Sequence, residues 1–365
     1  MTVSRPGAAT LAALLGLAAA ACFPKGWPPE RPGFGIRDFP YDAGPWLVRT
    51  SPNEMAVVVM HDLPSPPTVQ WWVRPEEGDT SPVARTQVVA ERRDDLWIAR
   101  MADLPSDRVL RYALESDLGL LGPIDFVAHR SRERPFRFAA LGDTRNGHDV
   151  HRVLIERLAR EGVDFYINSG DLVEFGGQLD RWIRFFNIEA PLISGSPLFA
   201  AVGNHDNSQR LNFRRLFLTR DYARGERYFA QDWGDVRIVI LDSEIEMREG
   251  SAQHDFMERV LRDGADRDMI MVLSMHYPPY SSGEHGSNPE VRAAVAPLVE
   301  KHGVELVLSG HDHDYERTKP IGGATYLVAA SGGAPIRSVL PRDFTEVFRT
   351  EPHYVLFDVE DGQLV

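Results

Sequence analysis

At 365 residues, with 43% apolar and 25% charged side chains, the chain is too long and too rich in core formers for a peptide, a coiled coil or a disordered tail, and at roughly 150 residues per domain it has room for about two cores. Its 40 basic and 53 acidic residues give a net charge of −13, which disfavours a nucleic-acid binder of the ordinary basic kind, where phosphate neutralisation is the main affinity term. Small anions stay open as ligands, because a metal ion reverses the local field inside an acidic protein.

Arg5 opens the chain with a short positive region, and Gly7 to Ala21 is uncharged, with Leu11, Leu14, Leu15 and Leu17 at its centre. At about 1.5 Å of rise per residue this stretch falls short of a bilayer core, so it reads as a secretion signal. The single cysteine, Cys22, excludes an intrachain disulfide framework and a cysteine-rich zinc site. It follows Ala19-Ala20-Ala21, and the run resembles a bacterial lipoprotein cleavage box, although Ala19 stands where such boxes usually carry leucine. Residues 1–22 are therefore expected to export the protein to the cell envelope and to anchor it to a bacterial membrane through a lipid on Cys22. The alternative is an ordinary signal peptide that leaves a free thiol.

Residues 23–44, rich in proline and carrying Trp27, Phe34, Phe39 and Tyr41, read as an extended tether and entry arm. From 45 to 130 come short apolar or alternating runs: Trp46–Arg49, Met55–Met60, Val69–Arg74, Arg85–Ala90, Leu96–Met101, Arg108–Glu115 and Ile124–Ala128. Pro, Asp, Ser and Gly separate them and no helix intervenes, which predicts a small β-sandwich. Its spacing resembles a fibronectin type III module, an analogy of pattern. Ser131–Pro135 is a charged hinge. Beyond it, residues 135–365 alternate strand-like runs (Phe136–Leu141, Phe165–Asn168, Leu198–Val202, Val236–Leu241, Met269–Met275, Glu305–Leu308) with helical stretches at Val150–Arg160, Trp182–Phe186 and Ala252–Leu261. Tyr326–Ala329, Arg337–Leu340 and Tyr354–Val359 are expected to add strands. This pattern predicts a layered α/β domain with its chemistry at the strand ends.

Five of those ends carry chemistry: Gly142-Asp143-Thr144-Arg145, Gly170-Asp171, Gly203-Asn204-His205-Asp206, Met275-His276 and Gly310-His311-Asp312-His313. Any one alone is more often a turn or a satisfied histidine. All five, each leaving a short β-like run, are not a chance set. Hard oxygen plus imidazole suits iron, manganese or zinc rather than calcium.

The order of these motifs resembles that of the calcineurin-like metallophosphoesterases, over Phe136 to at least Pro320. The tail Gly310-His311-Asp312-His313-Asp314-Tyr315-Glu316-Arg317 is similar to purple acid phosphatases. The resemblance implies an N-terminal all-β, fibronectin- or immunoglobulin-like sandwich followed by a four-layer α-β-β-α phosphoesterase domain with two transition-metal ions. It makes Asp171 the bridging carboxylate, gives Asp143 and His313 to a first metal, and gives Asn204, His276 and His311 to a second. It casts His205 as the group facing the phosphoryl oxygens, with Asp206 as its plausible orienter. The pattern departs at two positions: Arg145 stands where many members carry a ligating histidine, and Glu174 where purple acid phosphatases carry a ligating tyrosine. Either Glu174, His148 or water fills the gap while Arg145 clamps the substrate, or the first site is weak. A surface salt bridge is the plain alternative for Arg145.

Tyr280 and His285, in the loop after His276, are candidates for the substrate opening or for simple loop structure. The implied reaction is hydrolysis of a small phosphate monoester by a metal-activated water, with a diesterase or nucleotide hydrolase as the alternative on the same centre. The non-enzymatic rival is an exported binding protein on a degenerate scaffold, against which the presence of all six presumed ligands argues. No nucleic-acid partner is expected, no protein partner is identified, and the membrane enters only through the lipid anchor.

Overall fold

The computed structural model describes residues 40–78, 81–206, 211–217 and 227–365. Cys22 and the rest of the signal segment lie outside the described residues, as does most of the proline-rich tether.

The first region is built from β1 (Ala43–Ser51), β2 (Glu54–Met60), β3 (Thr68–Val73), β4 (Thr86–Val89), β5 (Glu91–Arg93), β6 (Leu96–Met101), β7 (Leu110–Ser116) and β8 (Gly119–Phe126). They form two antiparallel sheets, ordered β1-β2-β6-β5 and β4-β3-β7-β8. The run Arg85–Ala90, read as one strand, is the start of a sheet-switching segment: β4 pairs with β3, and after the buried Ala90 β5 pairs with β6 in the opposite sheet. Alternation alone does not reveal such a crossing. Tyr41, assigned to an entry arm, is buried against this region and its hydroxyl shares a 2.9 Å hydrogen bond with Ser116.

The second region contains β9 (Phe136–Leu141), α1 (His148–Leu158), β10 (Phe165–Asn168), α2 (Leu179–Ile193), β11 (Leu198–Ala200), α3 (Leu211–Leu216), β12 (Phe229–Trp233), β13 (Val236–Ile240), α4 (Ala252–Asp266), β14 (Ile270–Ser274), α5 (Pro289–His302), β15 (Leu306–Ser309), β16 (Tyr315–Thr318), β17 (Thr325–Ala329), β18 (Thr345–Arg349), β19 (Val355–Glu360) and β20 (Gln363–Leu364). One sheet runs β11-β10-β9-β19-β20 and the other β12-β13-β14-β15-β17-β16-β18. Between them lies an aromatic core: Phe138 stacks on Phe165 and Phe357 at 5.0 and 4.8 Å, and Trp233 closes on Phe165 at 5.1 Å. Such runs are apolar throughout because both faces of each central strand are covered. The helices cover the outer faces: α1 packs with α2, while α4 and α5 bury Met257, Leu261, Val295 and Val299 against Val239, Leu273 and Val307. The expected strand at Arg337–Leu340 is instead a loop with one bridge, Val339 to Gly283, and β18 forms further along.

The apolar packing is continuous across the two regions. Trp46 of β1 stacks on Phe186 of α2 at 4.2 Å and donates from its indole nitrogen to the Leu216 carbonyl, and Tyr112 of β7 donates to the Ser194 carbonyl at 2.9 Å. Among the described residues no helix is long and apolar enough to cross a membrane.

Candidate metal centre

Strands β9, β10, β11, β14 and β15 are parallel where they pair, so their C-terminal ends open on one side of the molecule. Asp143, Asp171, Asn204, His276, His311 and His313 all lie in the segments just past those ends. Four of them, Asp143, Asp171, His311 and His313, have positive φ (54°, 56°, 77° and 52°). Non-glycine residues seldom adopt this conformation, and here it turns the four side chains out of the strand ends. Two glycines make the convergence possible. A Cβ on Gly203 would collide with the Asp171 backbone nitrogen and its Oδ1, and one on Gly310 would lie 2.6 Å from Asp143 Oδ2.

Asp143, Asp171 and His313 form a buried cluster whose ligand atoms lie within 4.8 Å of one another, a spacing suited to a metal ion. His313 donates from Nδ1 to the Pro335 carbonyl at 2.8 Å, which turns Nε2 toward Asp143 Oδ1 at 3.3 Å. Asp143 Oδ2 accepts the His311 N–H at 2.9 Å, while Oδ1 is buried without a hydrogen-bond partner. On the other flank of Asp171, His276 donates from Nδ1 to the Ser169 carbonyl at 3.0 Å. Its Nε2 therefore faces Asn204 Oδ1 at 3.1 Å and Asp171 Oδ1 at 3.5 Å. In this second set an imidazole nitrogen, an amide oxygen and a carboxylate converge, the donor chemistry of a transition-metal site. Burial works against charging His276, yet Asp171 and Asp143 outweigh it and hold its pKa above the usual imidazole value. The local field is that of a cation site. The His311 ring sits 5.1 Å from that of His276, and burial pushes its pKa down to about 2, leaving a neutral imidazole.

Residues 136–315 match the model of the calcineurin-like phosphoesterase family. This region of the chain belongs to the calcineurin-like metallophosphoesterases. The chain is 26% identical over 268 residues to probable inactive purple acid phosphatase 1 of Arabidopsis thaliana, covering 62% of this chain and 41% of that protein. It is 27% identical over 227 residues to a nucleotide pyrophosphatase/phosphodiesterase of Hordeum vulgare, covering 51% and 61%. It thus spans between about two fifths and three fifths of the length of these two relatives. Among solved structures, a purple acid phosphatase from yellow lupin (Lupinus luteus) seeds superposes with a TM-score of 0.74 at 19% identity, over 88% of this chain and 72% of that one. PhoD superposes with a TM-score of 0.65 at 11% identity, over 91% and 86%. Both carry the same fold.

Arg145, expected at the substrate or the surface, turns inward in the phosphoesterase domain. Nε donates to Asp171 Oδ2 at 3.1 Å, Nη1 donates to Glu174 Oε2 at 2.6 Å, and Nη2 lies 3.3 Å from His313 Nε2. Burial works against its charge, but Glu174, Asp171 and Asp143 overcome this and raise its pKa further. Glu174 faces that guanidinium. His148, the other candidate extra ligand, heads α1 and lines a small recess with Thr144, Glu174 and Arg181, outside the three-residue cluster.

His205 points its ring at the centre: Nδ1 donates to the Glu174 carbonyl at 3.0 Å, and Nε2 lies 3.9 Å from Asp171 Oδ2. The orienter is thus a backbone carbonyl. Asp206 instead braces the loops, accepting N–H groups of Val173 and Gly203 at 3.1 and 3.0 Å, and burial and the Asp171 charge push its pKa up. The Tyr280 ring packs on Tyr326 and Phe344, with Arg292 4.2 Å above it, at the edge of the core. His285 is exposed and stacks on His311 at 4.2 Å. The sequence reading missed Tyr277, whose ring meets His311 edge-on at 4.7 Å, and Arg337, which donates to the His311 carbonyl at 2.7 Å. Tyr277 directly follows His276 and was within reach of a sequence argument. Arg337 comes from a segment with no motif.

Proposed function

We propose that the protein hydrolyses small phosphate monoesters at this centre with the help of a bound transition-metal ion, iron, manganese or zinc. The observation that carries the reading is the convergence on Asp171 of two imidazoles from different strand ends, His276 and His313, both fixed by backbone carbonyls so that Nε2 points inward. We place the ion on the side of Asp171, Asn204 and His276, with His311, whose ring lies 5.1 Å from that of His276, as the further ligand that the family resemblance implies. There a bound ion supplies Lewis-acid activation of water and neutralises phosphoryl charge. On the other side the spacing of Asp143, Asp171 and His313 suits an ion, but two of the three groups already meet Arg145.

The chain's own residues do the rest. His205, held through Nδ1 by the Glu174 carbonyl, presents Nε2 for proton donation to a leaving-group oxygen. His285 and Tyr277 flank the His311 ring and border the approach to the centre.

The test is turnover of a chromogenic phosphate monoester with added manganese, zinc or iron, compared between wild type and Asp171→Asn. Metal-dependent activity lost in the variant is the expected result. No metal-dependent turnover on monoesters, diesters or nucleotides overturns the reading in favour of a binding protein. Diester or nucleotide hydrolysis is the second reading, favoured by the barley relative's name and by the exposed Phe175 beside Glu174, an apolar surface suited to a larger leaving group.

We propose a fibronectin-like module at residues 45–130 and a phosphoesterase domain over 135–365, a division supported by the two four-stranded sheets of the first region. We further propose export to the cell envelope and lipid attachment at Cys22. Replacement Cys22→Ser is expected to release the protein from the membrane fraction, and unchanged fractionation refutes the anchor.

A further inference from the structure

We propose that the Arg145 guanidinium is the resident cation of the first half of the centre. The folded chain then takes up one tightly held transition-metal ion, beside Asn204 and His276, where a dinuclear pattern would take two. The inference rests on the metal-centre reading above and narrows it.

A neutral imidazole has one hydrogen-bearing nitrogen and one lone pair. In His313 the hydrogen is committed to the Pro335 carbonyl, so the single lone pair is at Nε2, and the Arg145 Nη2 group stands 3.3 Å from it. A metal ligated there must displace that contact. The neighbouring lone pairs are engaged as well, since Arg145 Nε donates to Asp171 Oδ2 at 3.1 Å. Glu174 holds the guanidinium from behind through Nη1 at 2.6 Å. The side chains of Arg145 and Asp171 are 9% and 1% exposed, so water screens these contacts poorly.

The other half is built the opposite way. His276 Nε2 faces Asn204 Oδ1 and Asp171 Oδ1, so an ion bound there takes the place of a proton on Nε2 and not of a fixed side chain. A cation is supplied by the chain on one side of Asp171 and must come from solution on the other.

Charge points the same way. Asp143, Asp171 and Glu174 against Arg145 leave two negative charges, which one divalent ion neutralises. A second divalent ion beside a fixed guanidinium leaves a buried surplus of positive charge, which is costly without further anions. Asp143 Oδ1, buried and lacking a hydrogen-bond partner, is where a second ion gains purchase once the guanidinium is gone.

The test is metal counting. The full chain is purified without chelator, loaded with Mn(II), desalted, and measured by mass spectrometry of the metal and by electron paramagnetic resonance. Wild type is expected to hold one Mn(II) per chain with the spectrum of an isolated ion. Arg145→His and Arg145→Gln are expected to hold two, with the spectrum of an exchange-coupled pair. Two coupled ions in wild type overturn the inference while leaving the metal-dependent reading intact. A count that stays at one in both folded variants also overturns it, since the guanidinium is then not what keeps the second ion out. A wild type that binds no Mn(II), Zn(II) or iron sinks the metal reading itself. Should the variants fail to fold, the wild-type count and spectrum decide.

Discussion

The two flanks of Asp171 are made from the same materials and arranged to opposite ends. Toward β9 and the loop after β15, Asp171 Oδ2 and His313 meet a guanidinium anchored by Glu174; toward β11 and β14, Asn204 Oδ1 and Asp171 Oδ1 face the His276 Nε2 atom. Imidazole and carboxylate define what a site can hold, but the nearest long cationic side chain decides what it does hold. A ligand inventory that ignores the neighbouring arginine counts places, not ions.

The contrast is broken most severely at its hinge. Asp171→Asn removes the carboxylate that both flanks share, and turnover is expected to fall by roughly 10³-fold, the scale on which a single charge-stabilising group acts. Steady-state kinetics at saturating metal checks this. The flanks themselves separate on paired histidine variants: His276→Ala should weaken the retained ion by about 10- to 100-fold, the range seen even for partners that only support ligands. His313→Ala should leave its dissociation constant within about a factor of three. Equal losses in a competition titration against a chromophoric chelator would erase the distinction between the flanks.

Gly203→Ala pushes a methyl group into the backbone and Oδ1 of Asp171, and overpacking of this kind costs about 1–3 kcal/mol. Denaturant unfolding should show that loss, together with weaker metal retention. The mildest change is Glu174→Gln. It loosens Arg145 without removing it, and the loss of a partly exposed ion pair is worth at most about 1 kcal/mol, so affinity for a second Mn(II) should rise no more than about fivefold. A rise as large as that of Arg145→Gln would mean that Glu174, rather than the guanidinium, guards the site.

Much of this was legible in the sequence because strand ends are local signals. A short apolar run followed by Gly and Asp, Asn or His places a ligand at a predictable point of an α/β fold, and the three-residue cluster consists of positions read that way. The orientation of long side chains was not legible. Arg145 is directed by Asp171 and Glu174, 26 and 29 residues away, and nothing in Asp143-Thr144-Arg145 encodes that choice. Asp206 sits beside His205 in the chain, yet its carboxylate is captured by N–H groups of Val173 and Gly203, because satisfying a buried backbone outweighs adjacency. The β4–β5 crossing was hidden for a related reason: a period-2 pattern records which faces are apolar, not which sheet a strand joins.

The stacked Trp46 and Phe186 have a consequence for how the molecule comes apart. With indole and phenyl face to face at 4.2 Å, no solvent layer insulates the first region from the second, so heat should melt both in a single calorimetric peak. A catalytic fragment begun at Ser131 would bare one side of that seam, and the isolated piece is expected to precipitate rather than work as a minimal enzyme.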